Sequence, residues 1–250
     1  MKLSVIIICF NSLGNLRPLL ESLQSALEGI DSEIVITDNG STDGTADFIA
    51  AHYPSVNYLR LDKNRGVAYA RNRAIERACG QFLWILDDDT VVNARAAHDL
   101  LGYLERNADC GIAACALFSA NGERQLSYKP FPGPLLKLRN VLGLGSADPY
   151  AARLAAGEPF EPVYVIGACQ MIRREVISAV GLLDEAIFYG PEDADFCLRA
   201  RRAGWHVAYL PESGIIHHWQ RITTRRPFSK TGRAHIRGLL HFYLRHPWGW

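Results

Sequence analysis

Gln81-Phe82-Leu83-Trp84-Ile85-Leu86-Asp87-Asp88-Asp89 joins an apolar run to three consecutive carboxylates. The run reads as a buried strand. Three carboxylates at its end repel one another and cannot all be buried unpaired. A hard divalent cation relieves that repulsion, and Mg²⁺ or Mn²⁺ takes oxygen ligands. In an α/β sheet, a metal held at a strand's carboxyl end usually serves a phosphate-bearing ligand. An isolated Asp triplet also reads as a solvated acidic loop with a helix cap, so the rest of the chain decides between the two.

The segments before the triplet alternate. Leu3–Phe10 is a continuous β-rich run of the kind covered on both faces. A helical pattern with Leu16, Leu19, Leu20, Leu23 and Leu27 on one face follows. Glu33–Thr37 and Val56–Leu61 read as strands, and a helix is expected from Asn64-Arg65-Gly66 to about Cys79. Asn93 caps another helix after the triplet. This alternation predicts a mostly parallel sheet with helices on both faces. From Gly111 the pattern changes. Ile112–Phe118 and Gln125–Lys129 read as strands around the turn Asn121-Gly122. Residues 130–162 show no period and read as a functional loop or lid. Val163–Ile166 is strand-like, a short helix lies near Arg173–Val180, and Pro191 opens a helix to about Ala203. His206–Leu210 is the last expected strand.

The chain has 250 residues, 48% of them apolar, enough for one large core. Its net charge of +1 gives no reason to expect nucleic acid. Residues 219–250, however, hold seven Arg or Lys and no Asp or Glu, which leaves −6 on residues 1–218. The six cysteines form no CxxC pair and read as buried free thiols in a reducing compartment. Leu3–Phe10 is too short to span a membrane. The expected location is therefore cytoplasmic, at most peripheral on the inner face of the cell membrane.

Asp38-Asn39-Gly40-Ser41-Thr42-Asp43 is first of all a turn. It also places Asp38 where α/β sheets bind ligands, able to accept an imide N–H or a ribose hydroxyl. The dinucleotide fingerprint GxGxxG and the phosphate loop GxxxxGK[ST] are both missing. Asn64-Arg65-Gly66 and Arg71 at a helix start suit a diphosphate, or serve as a cap with solvated arginines. In Gly190-Pro191-Glu192-Asp193-Ala194-Asp195, Asp195 has an i,i+4 partner in Arg199 and reads as structural. Asp193 has none. It reads either as a helix-dipole residue or as a general base. His217 could complete a metal site begun by Asp89.

In this order and spacing, SVIIICFNS, DNGSTDGT, NRGVAYARN, FLWILDDDT, GACQMIRREVISAVGLLDE and YGPEDADFCLRARRAGWHVAYLP followed by His217 resemble the family 2 inverting glycosyltransferases of the GT-A fold. The likeness covers about residues 3–217, and its latter half resembles bacterial rhamnosyltransferase-like members. It implies a metal-dependent transfer of a sugar, with rhamnose one candidate, from a UDP or dTDP donor to a glycan or lipid-linked saccharide of a cell-surface polysaccharide. The uracil and thymine imide edges are alike, so the base stays open. By resemblance the donor contacts are Phe10, Asn11, Asp38, Asn39, Arg65, Gly66, Arg71, Asp87 and Asp88. Asp89 and His217 hold Mn²⁺ or Mg²⁺. Asp193 is the catalytic base and Glu192 touches the acceptor. Residues 1–110 would then be the donor half, 111–218 the acceptor half, and 219–250 a tail.

Two other functions fit parts of the pattern: a sugar-phosphate nucleotidyltransferase and a catalytically idle nucleotide-sugar-binding subunit. The first needs a glycine-rich basic loop after strand one, where Asn11-Ser12-Leu13-Gly14 is a poor match. The second is disfavoured because both Asp89 and Asp193 are present. In the tail, about Arg233–Arg245 predicts a helix with Ile236, Leu239, Leu240 and Tyr243 on one apolar face. With its cations it reads as an anchor to an anionic membrane surface, or as a helix packed on the catalytic domain or in a homodimer contact.

Overall fold

The computed structural model of the protein describes residues 1–130, 148–218 and 229–247. Four parallel strands form its first half: β1 (Leu3–Cys9), β2 (Ser32–Asp38), β3 (Asn57–Arg60) and β4 (Phe82–Asp87). They stand in the order β3-β2-β1-β4. The chain thus leaves β1 in one direction and returns on its other side. This is a topological switch point, where open α/β sheets leave a crevice at the strands' carboxyl ends. In the register, Cys9 faces Asp38 and Ile8 faces Asp87, so the three strands deliver their ends to one level.

Helices cover both faces, as the two-sided burial of β1 and β4 requires. On one face α1 (Leu13–Ala26) and α4 (Ala94–Arg106) bury Leu16, Leu19, Leu20, Leu23, Leu100 and Leu104 against Trp84. Asn93 caps α4 by accepting a hydrogen bond from the Ala96 N–H (2.9 Å). On the other face α3 (Val67–Arg77) packs Ala74 and Ile75 against Ile6 and Ile85. A short α2 (Thr45–His52) lies between β2 and β3, where no helix was expected. Its eight residues are too few to show a full helical period.

The second half departs further from expectation. The triplet is followed by β5 (Thr90–Val91), and β6 is Cys110–Phe118. The expected strand over 125–129 divides in two. β7 (Arg124–Gln125) pairs with β6, while β8 (Tyr128–Lys129) pairs with β9 (Tyr164–Val165) in a separate small sheet. Between β4 and β6 lies β10 (Cys169–Arg173), antiparallel to both, which the sequence pattern did not reveal. Gln170 interrupts its apolar run, yet is buried and donates to the Val165 carbonyl (2.6 Å). Of the segment 130–162, residues 131–147 lie outside the described residues, and α5 (Ala151–Ala156) is helical.

The last strand, β11, runs from His206 to His217, past the expected end at Leu210. Its register against β6 shifts between Leu210 and Gly214, so Pro211 sits in an irregularity that needs no ladder N–H. Beyond it β11 pairs with β5, His217 facing Thr90. That pairing carries His217 to the acidic triplet. Five of the six cysteines are buried as expected, but Cys79 is exposed.

α6 (Arg174–Val180), α7 (Glu192–Arg202) and α8 (Lys230–Arg245) complete the fold. α8 is seated on the catalytic domain. Phe242 and His246 are buried, and a Cβ at Gly238 would lie 2.6 Å from the Gly190 carbonyl. Arg202 donates to His246 Nδ1 (2.7 Å), so Nε2 carries the ring proton and donates to Asp195 (2.8 Å). Asp195 also accepts from Arg199 (2.8 Å), as their spacing predicted. Asp184 accepts from His241 (2.8 Å) and from Arg245. The expected apolar face therefore splits: Ile236 and Leu240 are exposed, Leu239 and Tyr243 half-buried.

Truncating the anchor of this helix, Phe242→Ala, is expected to cost about 3–5 kcal/mol, the usual loss for a buried aromatic. Urea denaturation of the full chain checks it, and a loss below about 1 kcal/mol would mean that α8 contributes little to the folded domain.

Candidate active site

The crevice at the switch point is a cavity of about 660 Å³. Phe10, Asn11, Asn39, Gly66, Arg71, Asp87, Asp88, Asp89, Glu192, Asp193 and His217 all line it, so most of the expected residues meet in one place. Asp38 and Arg65 are not among its walls.

One side is built by the loops after β1 and β2. Asn11 adopts φ +51°, and its Oδ1 accepts from the Thr42 N–H (2.8 Å). Asn tolerates this left-handed conformation better than most residues. Asp38 is buried. Its Oδ1 accepts from the Ser41 N–H (2.7 Å) and its Oδ2 from the Tyr58 hydroxyl (2.5 Å). Asn39 shapes the next loop, accepting from the Arg65 N–H (2.8 Å) and donating to Asn64 (3.1 Å). Gly66 has φ +94°, and a Cβ there would come within 2.6 Å of the Phe188 carbonyl. Only glycine meets both demands. Arg65 is exposed and reaches Asp62 (3.4 Å).

The triplet forms the floor. Asp88 accepts from Ser12 Oγ. Burial pushes its carboxyl up to about 7; the Ser12 hydrogen bond opposes this, and repulsion from Asp87 and Asp89 adds to it. Ligand atoms of Asp87, Asp89 and His217 lie within 4.8 Å of one another. His217 Nε2 is 3.3 Å from Asp89 Oδ1. Gln125 on β7 fixes the imidazole. Its Nε2 donates to the His217 carbonyl (2.7 Å), so its Oε1 takes the proton on Nδ1 (2.7 Å). Nε2 therefore faces the carboxylates, the orientation a metal-binding histidine needs, with Gln125 in the place of a second layer. Burial works against protonation of His217, but Asp89, helped by Asp87 and Asp88, outweighs it and raises the pKa. A divalent cation would take that proton's place. Two carboxylates and one correctly oriented imidazole fit such an ion.

Arg71 stands where the halves meet. It was expected at a diphosphate, but its guanidinium is buried and engaged. It donates to Asp87 Oδ1 (2.5 Å), the Gly167 carbonyl (3.0 Å) and Glu192 Oε1 (3.1 Å). A Cβ on Gly167 would collide with that guanidinium. The Gly167 N–H donates to Asp193 Oδ2 (3.2 Å). Asp193 sits in the first turn of α7, its Oδ1 accepting from the Ala194 N–H (2.7 Å). Glu192 Oε2 is buried and has no hydrogen-bond partner among the described residues. Burial pushes the Glu192 carboxyl up to about 7, Asp193 adds to the rise and Arg71 opposes it. His235 of α8 completes this wall. Gln125, Gly167 and His235 escaped the sequence reading, because each acts through contacts distant in the chain.

The model of the family described as Glycosyl transferase family 2 matches residues 4–181. An N-acetylglucosaminyl-diphospho-decaprenol L-rhamnosyltransferase from Mycobacterium tuberculosis is 30% identical over 99% of this chain and 86% of its own length. The crystal structure of Staphylococcus aureus TarS 1-349 in complex with UDP aligns with TM-score 0.64 and 20% identity. It spans 86% of this chain, which covers 60% of that one. GalNAc-T7 with UDP, GalNAc and Mn²⁺ aligns with TM-score 0.68 and 18% identity, over 99% of this chain and 50% of its own.

Between about pH 5 and 7 the unfolded chain has released the Glu192 proton while the folded protein still holds it, so stability falls as pH rises through that window. Glu192→Gln is expected to flatten that fall, leaving the part due to Asp88. Urea denaturation at three pH values checks this, and an unchanged slope would show that Glu192 does not titrate there.

Proposed function

The chain belongs to glycosyl transferase family 2 and has the GT-A fold, and from this premise we propose that it is a metal-dependent, inverting transferase of a sugar from a nucleotide-diphospho sugar to a saccharide hydroxyl. The observation that carries the reading is the placement of Asp193 and the Asp87–Asp89–His217 set on walls of one cavity. Family membership sets aside the nucleotidyltransferase, and the retention of both carboxylate sets speaks against an idle subunit.

In this reading the nucleotide lies at the ends of β1 and β2, along Phe10, Asn11 and Asn39. Asp38 is buried behind this wall and positions it through its bonds to Ser41 and Tyr58. Asp88 meets the ribose. Asp89, His217 and Asp87 would hold the cation. Mn²⁺ suits the mixed nitrogen and oxygen set better than Mg²⁺, which favours oxygen. When bound, the ion neutralises the charge that develops on the departing diphosphate. Arg65, exposed at the start of α3, is the outer phosphate contact.

Asp193 takes the proton of the acceptor hydroxyl as its oxygen attacks the anomeric carbon. The bond to the diphosphate breaks on the opposite side, so the configuration inverts. Glu192 Oε2 faces the same acceptor. The likeness to a decaprenol-linked rhamnosyltransferase supports a lipid-linked saccharide as acceptor, at the inner membrane face, and rhamnose as the sugar. UDP in the TarS complex supports a uridine donor, with dTDP the alternative.

Asp193→Asn should fold and bind donor yet lose about 10²–10⁴ in turnover, the usual worth of a positioned base. A rate within about tenfold of wild type, measured with UDP- and dTDP-sugars and Mn²⁺, would place the base elsewhere. Asp89→Ala should abolish metal-dependent binding of UDP or dTDP in calorimetry. Equal affinity with and without Mn²⁺ in the wild type would refute the metal site.

A further inference from the structure

α8 buries Gly238, Phe242 and His246 against the domain. At about 100° per residue, the opposite side of the helix carries Ile236, Arg233, Leu240, Leu244 and Arg237. Ile236, Leu240 and Leu244 are 47%, 60% and 82% exposed, and both arginines are exposed as well. Three aliphatic side chains at i, i+4 and i+8 with interleaved cations are an amphipathic face turned outward from a docked helix. No acidic residue occurs from 219 to 250. Asp184, a carboxylate bonded to the side of α8 near this face, is matched by His241 and Arg245.

We propose that this outward face of α8 is a docking surface for an anionic lipid bilayer. Charge complementarity selects the occupant, because the face joins apolar side chains to cations and has no acid in its own segment. Area argues against a second copy of the chain. Three aliphatic side chains offer on the order of a few hundred Å², whereas a stable protein interface buries roughly 800 Å² per partner. A bilayer needs no matched surface and accepts shallow insertion of such a stripe. The position also suits the site. His235, one residue before Ile236, lines the cavity beside Gly190 and Glu192, so α8 carries a cavity wall on its inner side and the stripe on its outer side. The surface differs from the face expected from periodicity, since Leu239 and Tyr243 turn partly into the domain. The inference rests on the reading of a lipid-linked acceptor, but its test needs neither donor nor acceptor.

The full chain is sedimented with vesicles of phosphatidylcholine alone or with one quarter phosphatidylglycerol, at low and high salt. The expected result is binding to the anionic vesicles that weakens with salt. Leu240→Gln with Leu244→Gln should lower the partition coefficient at least about tenfold. Arg233→Glu with Arg237→Glu should remove the preference for anionic lipid. Both pairs lie on the surface, and unchanged circular dichroism and melting confirm their folds. Wild type without anionic preference, or variants that bind like wild type, would overturn the proposal. So would sedimentation velocity showing a wild-type dimer that the Leu240 and Leu244 changes dissociate without vesicle binding. Transfer activity that survives in solution alongside failed vesicle binding would refute the docking surface and leave the proposed chemistry standing.

Discussion

Among the described residues, five carboxylates converge on one cavity and a single buried guanidinium stands among them. At an effective dielectric of about 20, two like charges 4 Å apart cost on the order of 4 kcal/mol. Asp87, Asp88, Asp89, Glu192 and Asp193 could not share this space ionised without compensation. The fold answers in three ways. Arg71 neutralises the Asp87–Glu192 side. Asp88 and Glu192 move toward protonation at neutral pH. His217 becomes more basic beside Asp89. What remains is an anionic floor suited to a divalent cation. The repulsion that remains is what a divalent cation would relieve.

Arg71 also explains why the two halves act as one. Its hydrogen bonds tie the end of β4 to the 166–168 loop and to the start of α7. Gly167 has to be glycine for the guanidinium to fit, and its N–H holds Asp193. Removing one partner from such a buried pair typically costs 3–5 kcal/mol, because a charge is left behind. The geometry of the proposed base therefore depends on the geometry of the metal-side carboxylate. A donor that draws Asp87 to its cation would act on the acceptor side through one side chain.

The parallel half was legible because its signals are local. Strand runs, turn residues and the acidic triplet lie within a few residues of each other, and their alternation predicts the mostly parallel sheet. The antiparallel insertions were not. β10 carries Gln170 in mid-strand, and that polar group is tolerated only because the Val165 carbonyl lies beside it in space. β11 reads as ended at Pro211, yet an irregularity carries it on to His217. Site residues divide in the same way. Asp87 to Asp89, Glu192, Asp193 and His217 are visible as types at spacings. The engagement of Arg71 and Asp38, and the parts of Gln125 and Gly167, follow only from partners distant in the chain.

The C-terminal helix extends this logic to the Glu192–Asp193 side of the cavity. α7 offers Asp193 to the cavity on its first turn and Asp195 to His246 two residues later. The same turn thus carries the proposed base and the socket of α8. With Arg202 donating to Nδ1, the imidazole is a neutral bridge, so its bond to Asp195 does not require a protonated histidine. The walls proposed for the donor come from strand ends fixed by a full parallel register, and small changes there would disturb the whole sheet. The walls proposed for the acceptor come from loops and from a helix that docks through Gly238, Phe242 and His246. Such a helix can vary its outward face and its reach without altering the core. A fold built this way can hold one donor chemistry constant while the acceptor, and the surface on which it is presented, change.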